Sequence, residues 1–469
     1  MYLCDKGSIL VLPIEYVKKI IKERMFIMTT KIDFINGNTK KCLLAMTLPM
    51  IVAMFLNMAY NLVDSLWIGN LLGELAYAAL TNSTPIVLLL TSVAMGATNG
   101  ISILLSQAIG ARNEQKKKKV ISTSFCIAVI FSLFITFILE LFLPVILAAL
   151  NTPAETMNMA RDYLSIYILG YIAVYLYLYF TAVLRSFGNT IFQVIAMLIS
   201  TILNIVLDPI FILKIGFHGA AIATLLSQSM CLIFMIIYIK KRNVFKISFA
   251  DFDKKEIIPL IKSAVPSVIQ QSIPAISTTF LTSLVSTYSI SAIAAYGITG
   301  KLETILFYPA MAFNMVLTSI VGQCIGAKRV DRAKDYLKLS LKYGITVLFI
   351  LSILIIIFSK QLAGLFVSSD PVAQIVEEYF IIISIGYVLN TVTNCYLGCL
   401  NGMGKPTKSM ILMIFYYLVV RIPLAYVFSY IGLGLNGIWI AVLISHIIAC
   451  ITAILTGTHS FKKNIKMEG

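Results

Sequence analysis

Apolar runs of about 20 residues, the length a helix needs to cross a bilayer core, alternate along this chain with short basic clusters. That alternation confines the chain to one class, a helical protein that crosses a membrane many times. Only 12% of its 469 residues are charged and 59% are hydrophobic, with a mean hydropathy of +0.92. A soluble protein carries about 25% charged residues, so this chain lacks the charge to cover a water-exposed surface. The runs predict twelve spans, near 42–70, 75–110, 120–142, 163–184, 190–213, 219–239, 263–288, 292–326, 339–358, 376–400, 409–430 and 436–457. With the amino terminus inside, the basic clusters at 112–119, 240–246, 254–262, 328–342, 405–408 and 462–466 all fall on one side. The opposite connections hold few cations, Arg161, Lys214 and Lys360 being the exceptions. Lys and Arg are retained on the cytoplasmic side, which predicts a multi-pass cell-membrane protein with both termini in the cytoplasm.

The formal charge of +16 would suit a nucleic-acid binder, but its confinement to loops makes it membrane anchoring instead. No nucleic-acid partner is expected. Eight cysteines are scattered singly, and the nearest pair, Cys395 and Cys399, is one helical turn apart without zinc or redox spacing. Three separated histidines make no metal cluster. Neither a nucleophile elbow nor a phosphate-binding loop is present, so an enzyme is not expected and transport would run on an ion gradient. Residues 1–41 form a tail in which Val17, Ile20 and Ile21 alternate with Lys18, Lys19 and Lys22. This suits either a helix lying on an anionic membrane face or an untranslated leader before Met25 or Met28.

Self-comparison exposes a repeat. Thr47-Leu48-Pro49 returns as Ala264-Val265-Pro266, and Gln107-Ala108-Ile109-Gly110-Ala111 as Gln323-Cys324-Ile325-Gly326-Ala327. Asp162-Tyr163 returns as Glu378-Tyr379, Leu184 to Gly188 as Leu400 to Gly404, and Gly219 to Ala223 as Gly437 to Ala441. The offset stays near 216 throughout, so the chain is a duplicated six-helix unit. Six spans per unit give both copies one orientation, which implies an all-α fold of two six-helix bundles related by a pseudo-twofold axis along the membrane normal, with a cavity between them. The expected division is a tail (1–41), an amino-terminal lobe (42–240), a linker (241–262), a carboxy-terminal lobe (263–457) and a second tail (458–469).

Ionisable residues at bilayer depth are functional candidates. In the first span Asn57, Tyr60, Asn61 and Asp64 share one helical face, and in the fifth Asn204 and Asp208 are one turn apart. Pro209 follows and leaves the carbonyl of Ile205 without its helical donor. These hard oxygens suit Na⁺, and the same carboxylates, removed from water, can hold a proton; the residues leave the choice open. The asparagines can also serve as interhelical hydrogen-bond glue. The second half has Leu281 and Leu424 where the first has its acids, and offers Lys301, Glu303 and Arg421 instead. Glu303 with Arg421 is the expected ion pair, while Glu303 can equally face a cationic substrate. Tyr163, Tyr167, Tyr171, Tyr175 and Tyr179 form a period-four stripe, for which packing is the ordinary role and cation–π binding the functional one. Met46, Met50, Met54 and Met58 form another, read as packing.

The run Leu48-Pro49 through Tyr60-Asn61-Leu62-Val63-Asp64-Ser65-Leu66-Trp67-Ile68-Gly69 resembles the opening of the multidrug and toxic compound extrusion (MATE) transporters. So do Gln107 to Ala111, Leu184 to Asn189, and Gly219 to Thr224 with Ser227-Gln228, over roughly residues 35–460. The resemblance implies a secondary-active efflux pump of MATE fold, acting as a monomer, that exchanges cationic or lipophilic small molecules for H⁺ or Na⁺. It assigns the coupling cation to Asp64, Asn204, Asp208 and Thr224, with Asn61 beside them, and makes Pro49 a hinge of the first helix. Asn57, Tyr60, Tyr175, Gln270 and Glu303 are the candidates for the substrate cavity. Membrane lipids are the other expected partners, and no cofactor is expected beyond Na⁺ as coupling ion. The acids that other branches of the family place in the carboxy-terminal lobe are not clearly matched. A lipid-linked oligosaccharide flippase of the related superfamily is the alternative reading, though it would line its cavity with several Arg. A membrane-embedded lipid-modifying enzyme is a more distant one.

Overall fold

In lipid the backbone must satisfy its own N–H and C=O groups, which favours helices. The computed structural model describes residues 32–150, 152–366 and 369–468, and among the described residues there is no strand. α1 (Thr39–Gly110) has 72 residues, about 108 Å if straight, far beyond one crossing of a core about 30 Å thick. It breaks at Gly73, whose φ of 80° and ψ of −169° only glycine adopts readily. One continuous assignment therefore holds the first two spans. α1 also runs through Pro49 without interruption.

α2 (Glu114–Ala149) is followed by α3 (Ala154–Leu169) and α4 (Tyr171–Ser186), which meet at Gly170 with a bend of 47°. The sequence predicts one span over 163–184; the structure divides it because Leu225 packs where a Cβ on Gly170 would stand. α5 (Ile191–Ile215) and α6 (Phe217–Arg242) complete the first bundle. The second contains α7 (Ile257–Val285), α8 (Ile290–Gly326), α9 (Val330–Gly364) and α10 (Asp370–Gly402). Its last two spans are α11 (Pro406–Ile414) with α12 (Ile422–Phe428), joined by a π-helical turn over Phe415–Arg421, and α13 (Gly434–Glu468). Positive φ at Gly432 and Gly434 separates them. Twelve crossings result.

α13 does not stop where the second tail was expected to begin at 458. Phe461 is buried, and Lys405 donates to the Ser460 carbonyl at 3.3 Å and to Asn464 Oδ1 at 2.8 Å, which holds the extra turns against the bundle. Residues 32–38 are likewise anchored: Phe34 is buried, and its carbonyl accepts from Tyr336 at 3.1 Å and from Arg332 at 3.2 Å. The stretch around Val17 to Lys22 lies outside the described residues. The segment between the bundles is strapped onto α2, where Ser248 N–H donates to Ser122 Oγ, Asp253 N–H to Thr123 Oγ1, and Lys119 Nζ lies 2.9 Å from Asp253 Oδ2. The Lys119 ammonium beside Asp253 holds its carboxyl below the usual carboxylate range.

Each bundle has its own apolar core, one around Ile68, Leu164, Tyr171 and Ala220, the other around Leu302, Leu348, Phe380 and Trp439. The methionine stripe of α1 sits in a third cluster, where Met46, Met50 and Met54 pack with Phe313, Leu317 and Tyr336 of the second bundle. The twofold relation is visible in individual contacts. A Cβ on Gly110 would meet the Gln323 carbonyl oxygen at 2.0 Å, and one on Gly326, its repeat partner, would meet the Gln107 carbonyl oxygen at 2.1 Å.

The repeated Leu184–Gly188 and Leu400–Gly404 motifs are helix ends. In the first, Asn189 N–H bonds the Leu184 carbonyl and Gly188 N–H the Arg185 carbonyl; in the second, Lys405 bonds Leu400 and Gly404 bonds Asn401. This is the Schellman arrangement, which needs a left-handed residue, here Gly188 at φ 84° and Gly404 at φ 73°. Gly188→Ala should lower stability by about 1–2 kcal/mol from backbone handedness alone, and its Cβ would also crowd the Phe34 ring at 3.1 Å. A thermal unfolding midpoint equal to that of the unsubstituted protein would contradict this.

Candidate cation site and inter-lobe cleft

The polar stripe of α1 is wide enough for its two edges to face different surroundings. Tyr60 and Asp64 turn inward and are buried, whereas Asn57 and Asn61 are exposed. Asn61 Nδ2 donates to the Asn57 carbonyl at 2.9 Å and contacts Asn57 Oδ1 at 3.3 Å. Asn61 therefore bonds back along its own helix and does not join the acids, contrary to its expected place beside them.

The inward edge meets α5 and α6. Asn204 and Asp208 are fully buried one turn apart, and Asn204 Nδ2 donates to Asp208 Oδ1 at 2.8 Å. Asp64 is buried on the same inward edge of α1 as Tyr60, which reaches Ser227 of α6. Tyr60 closes one side, its hydroxyl 3.0 Å from Ser227 Oγ and 3.5 Å from the Thr224 carbonyl it donates to. Four oxygens on these three helices are buried without a hydrogen-bond partner, namely Asp64 Oδ1, Asp208 Oδ2, Asn204 Oδ1 and Thr224 Oγ1. Buried acceptors left unpaired are costly, most of all on carboxylates. Two acidic and two neutral hard oxygens form a donor set for a small hard cation. Ser227 is a member that spacing alone could not nominate, because its link to Tyr60 spans 167 residues of sequence.

Other candidates lie elsewhere. Tyr175 is buried against Phe131 and Tyr171 and lines an apolar cavity of about 230 Å³, with Phe131, Ala128, Ala264 and Val268, where α7 meets the first bundle. Its stripe is mainly packing: Tyr163 stacks on Phe217, Tyr171 donates to the Leu90 carbonyl and Tyr179 to the Ile121 carbonyl. Gln270 is buried at the seam between bundles and accepts from Asn401 Nδ2 at 3.3 Å.

In the second bundle the expected Glu303–Arg421 ion pair does not form. Glu303 Oε1 instead accepts from the Tyr379 and Tyr387 hydroxyls of α10. The π-helical turn carries Arg421 toward α13, where it bonds Ser445 Oγ at 3.0 Å, Tyr416 at 2.5 Å and His446 Nε2 at 3.1 Å. Its guanidinium also lies 4.4 Å from the centre of the Tyr417 ring. Arg has no acceptor to offer, so His446 accepts at Nε2 and is neutral. Lys301 is exposed, 3.4 Å from the Tyr77 hydroxyl and over the Phe366 ring.

The family profile described as MatE matches residues 49–210 and again 266–427, the second segment starting 217 positions after the first. The chain belongs to the MatE family. The two matches coincide with the two copies of the repeat, so one MatE unit corresponds to one bundle. Among MatE relatives, the chain is 27% identical over 405 residues to the probable multidrug resistance protein YoeA of Bacillus subtilis, covering 84% of this chain and 88% of that protein. It is 27% identical over 423 residues to the FAD transporter of Shewanella oneidensis, covering 87% and 93%. A solved outward-facing conformation of a multidrug resistance MATE family transporter of the MOP superfamily superposes with a TM-score of 0.89 at 26% identity, covering 93% of this chain and 99% of that one.

Proposed function

We propose that this MatE protein is a secondary-active multidrug antiporter, exporting organic cations and lipophilic drugs through the cleft between its lobes (42–240 and 263–457) in exchange for Na⁺ or H⁺. The observation that carries the coupling is the set of four buried, unpartnered oxygens on Asp64, Asn204, Asp208 and Thr224. The names of the relatives support the drug-export part. Na⁺ is the first choice of ion, because it satisfies the neutral oxygens of Asn204 and Thr224 as well as the two carboxylates. A proton held by Asp64 and Asp208 is the second reading, favoured by the burial of both acids, each with an unpaired oxygen. The flippase reading loses its basic cavity, since Arg421 is buried among Tyr416, Tyr417 and His446.

In this mechanism the cation enters the first bundle from the outside and offsets one negative charge of the Asp64 and Asp208 pair. The resulting change in packing of α1 against α5 and α6 drives the exchange of cleft access and releases the substrate. For an uncharged drug, one cation crossing 100 mV supplies about 2.3 kcal/mol, enough for roughly a 50-fold substrate gradient at about 1.4 kcal/mol per tenfold; one-for-one exchange with a monovalent organic cation moves no net charge and draws on the ion gradient instead. The protein works as a monomer in the cell membrane with both termini in the cytoplasm.

The test is ethidium export from proteoliposomes in which pH and Na⁺ gradients are imposed separately. Export driven by Na⁺ at constant pH is the expected result. Export that follows the pH gradient alone would replace Na⁺ by the proton, and no response to either would reject antiport.

A further inference from the structure

Where α4 and α10 end, the Schellman turns use the carbonyls of Leu184 and Arg185 in one repeat and of Leu400 and Asn401 in the other. That leaves the next carbonyl in each helix, Ser186 and Gly402, without a partner in its own turn. Gln323 Nε2 of α8 donates to the Ser186 carbonyl at 2.7 Å, and Gln107 Nε2 of α1 donates to the Gly402 carbonyl at 2.9 Å. Gln107 and Gln323 are equivalent positions of the repeat, and so are Ser186 and Gly402. Each bundle thus caps the helix end of the other.

The structure assigns Gln107 and Gln323 as a reciprocal pair of latches that hold the two bundles together at the face of the basic loops, and whose release opens the cleft to that face. The inference rests on the alternating-access reading given above.

Two further sets of contacts confine the latches to the seam. Gly110 and Gly326 let the two glutamine backbones approach, as their absent Cβ atoms would strike the opposite glutamine. Ser102 Oγ lies 2.8 Å from Ser186 Oγ and 3.1 Å from Ser319 Oγ, so one hydroxyl touches both bundles. Backbones this close leave no passage for a solute, and the bonds that cross between them are few and polar. Beside them the apolar contact of Met46 and Met50 with Phe313, Leu317 and Tyr336 also crosses the seam, so opening separates that contact together with the latches. The turn residues that follow, Arg112 and Lys328, are left-handed and exposed.

The experiment places spin labels at Gln115→Cys and Asp335→Cys, both exposed on the basic-loop face, in the full-length chain with native cysteines replaced. Gln107→Met and Gln323→Met keep the side-chain volume and remove the donor. Each is expected to raise the open-to-closed ratio in the distance distribution about 5-fold and the pair about 30-fold, as for one and two lost hydrogen bonds. Gln107→Glu with Gln323→Glu, whose carboxylates cannot donate to a carbonyl, should open the face in the same way and serves if the Met pair does not fold. An unchanged distribution in the double variants would overturn the latch. So would a shift from one position and none from the other, because reciprocity is the claim. The distances are read without substrate or gradient, so a chain that exports no dye yet opens on substitution would sink the antiport reading and leave the latch intact.

Discussion

Asp64→Asn and Asp208→Asn are each expected to abolish gradient-driven dye export while the protein folds and inserts normally. The amide matches the carboxylate in shape, so packing around Asn204 and Tyr60 is retained. What changes is charge in a dry site. Interactions with a charged partner are worth about 1.5–3 kcal/mol, which at about 1.4 kcal/mol per tenfold weakens cation binding roughly 10- to 100-fold. Direct binding can be read from fluorescence, since the chain has two tryptophans and Trp67, half-buried with its indole nitrogen out of solvent, follows Asp64 by three residues. In a Trp439→Phe background, a Na⁺ titration against choline should give a saturable signal that both Asn variants lose. Retention of full export by either variant would remove the assignment of the site.

Gly110→Ala and Gly326→Ala should each hold the basic-loop face ajar. The added methyl would stand 2.0 or 2.1 Å from a carbonyl oxygen of the opposite bundle, and because that atom belongs to backbone no side-chain rotation relieves it. Overpacking of this kind costs about 1–3 kcal/mol, falling on the closed arrangement alone. A cysteine at Ser102, shielded in the closed seam, should then react with maleimide about tenfold faster, and export should fall in proportion to the lost closed state. Gly364→Ala is the control, as its Cβ meets nothing within 4 Å. Equal labelling of the Gly110 variant and the control would show that the seam tolerates the methyl and does not set the closed state.

Much of the architecture was readable from residue order because lipid imposes strong one-dimensional rules. Apolar length set the spans, the pattern of Lys and Arg set the expected sidedness, and the 216-residue offset revealed the duplication that the two MatE matches reproduce. The residues of the proposed coupling site were also readable, since Asp64, Asn204 and Asp208 sit on polar stripes in otherwise apolar runs. The interruption at Gly170 was not readable, because it depends on Leu225 arriving from another helix. Of the two roles open to Glu303, the pairing with Arg421 does not form, for a similar reason. Opposite charge suggests attraction, but two tyrosine hydroxyls from α10 reach the carboxylate first, and a π-helical turn rotates the guanidinium toward His446.

The sequence by itself determined the class of molecule, its twofold internal plan and the carboxylates that bilayer depth makes costly. Tertiary structure alone decided which side of each stripe faces which neighbour, and so separated Asp64 from Asn61 and joined Gln107 to Gly402 across the seam. The physical reason is range. Helical periodicity and transfer from water act within a span and can be read along the chain, whereas an unpaired oxygen or a shared carbonyl exists only once distant helices are side by side.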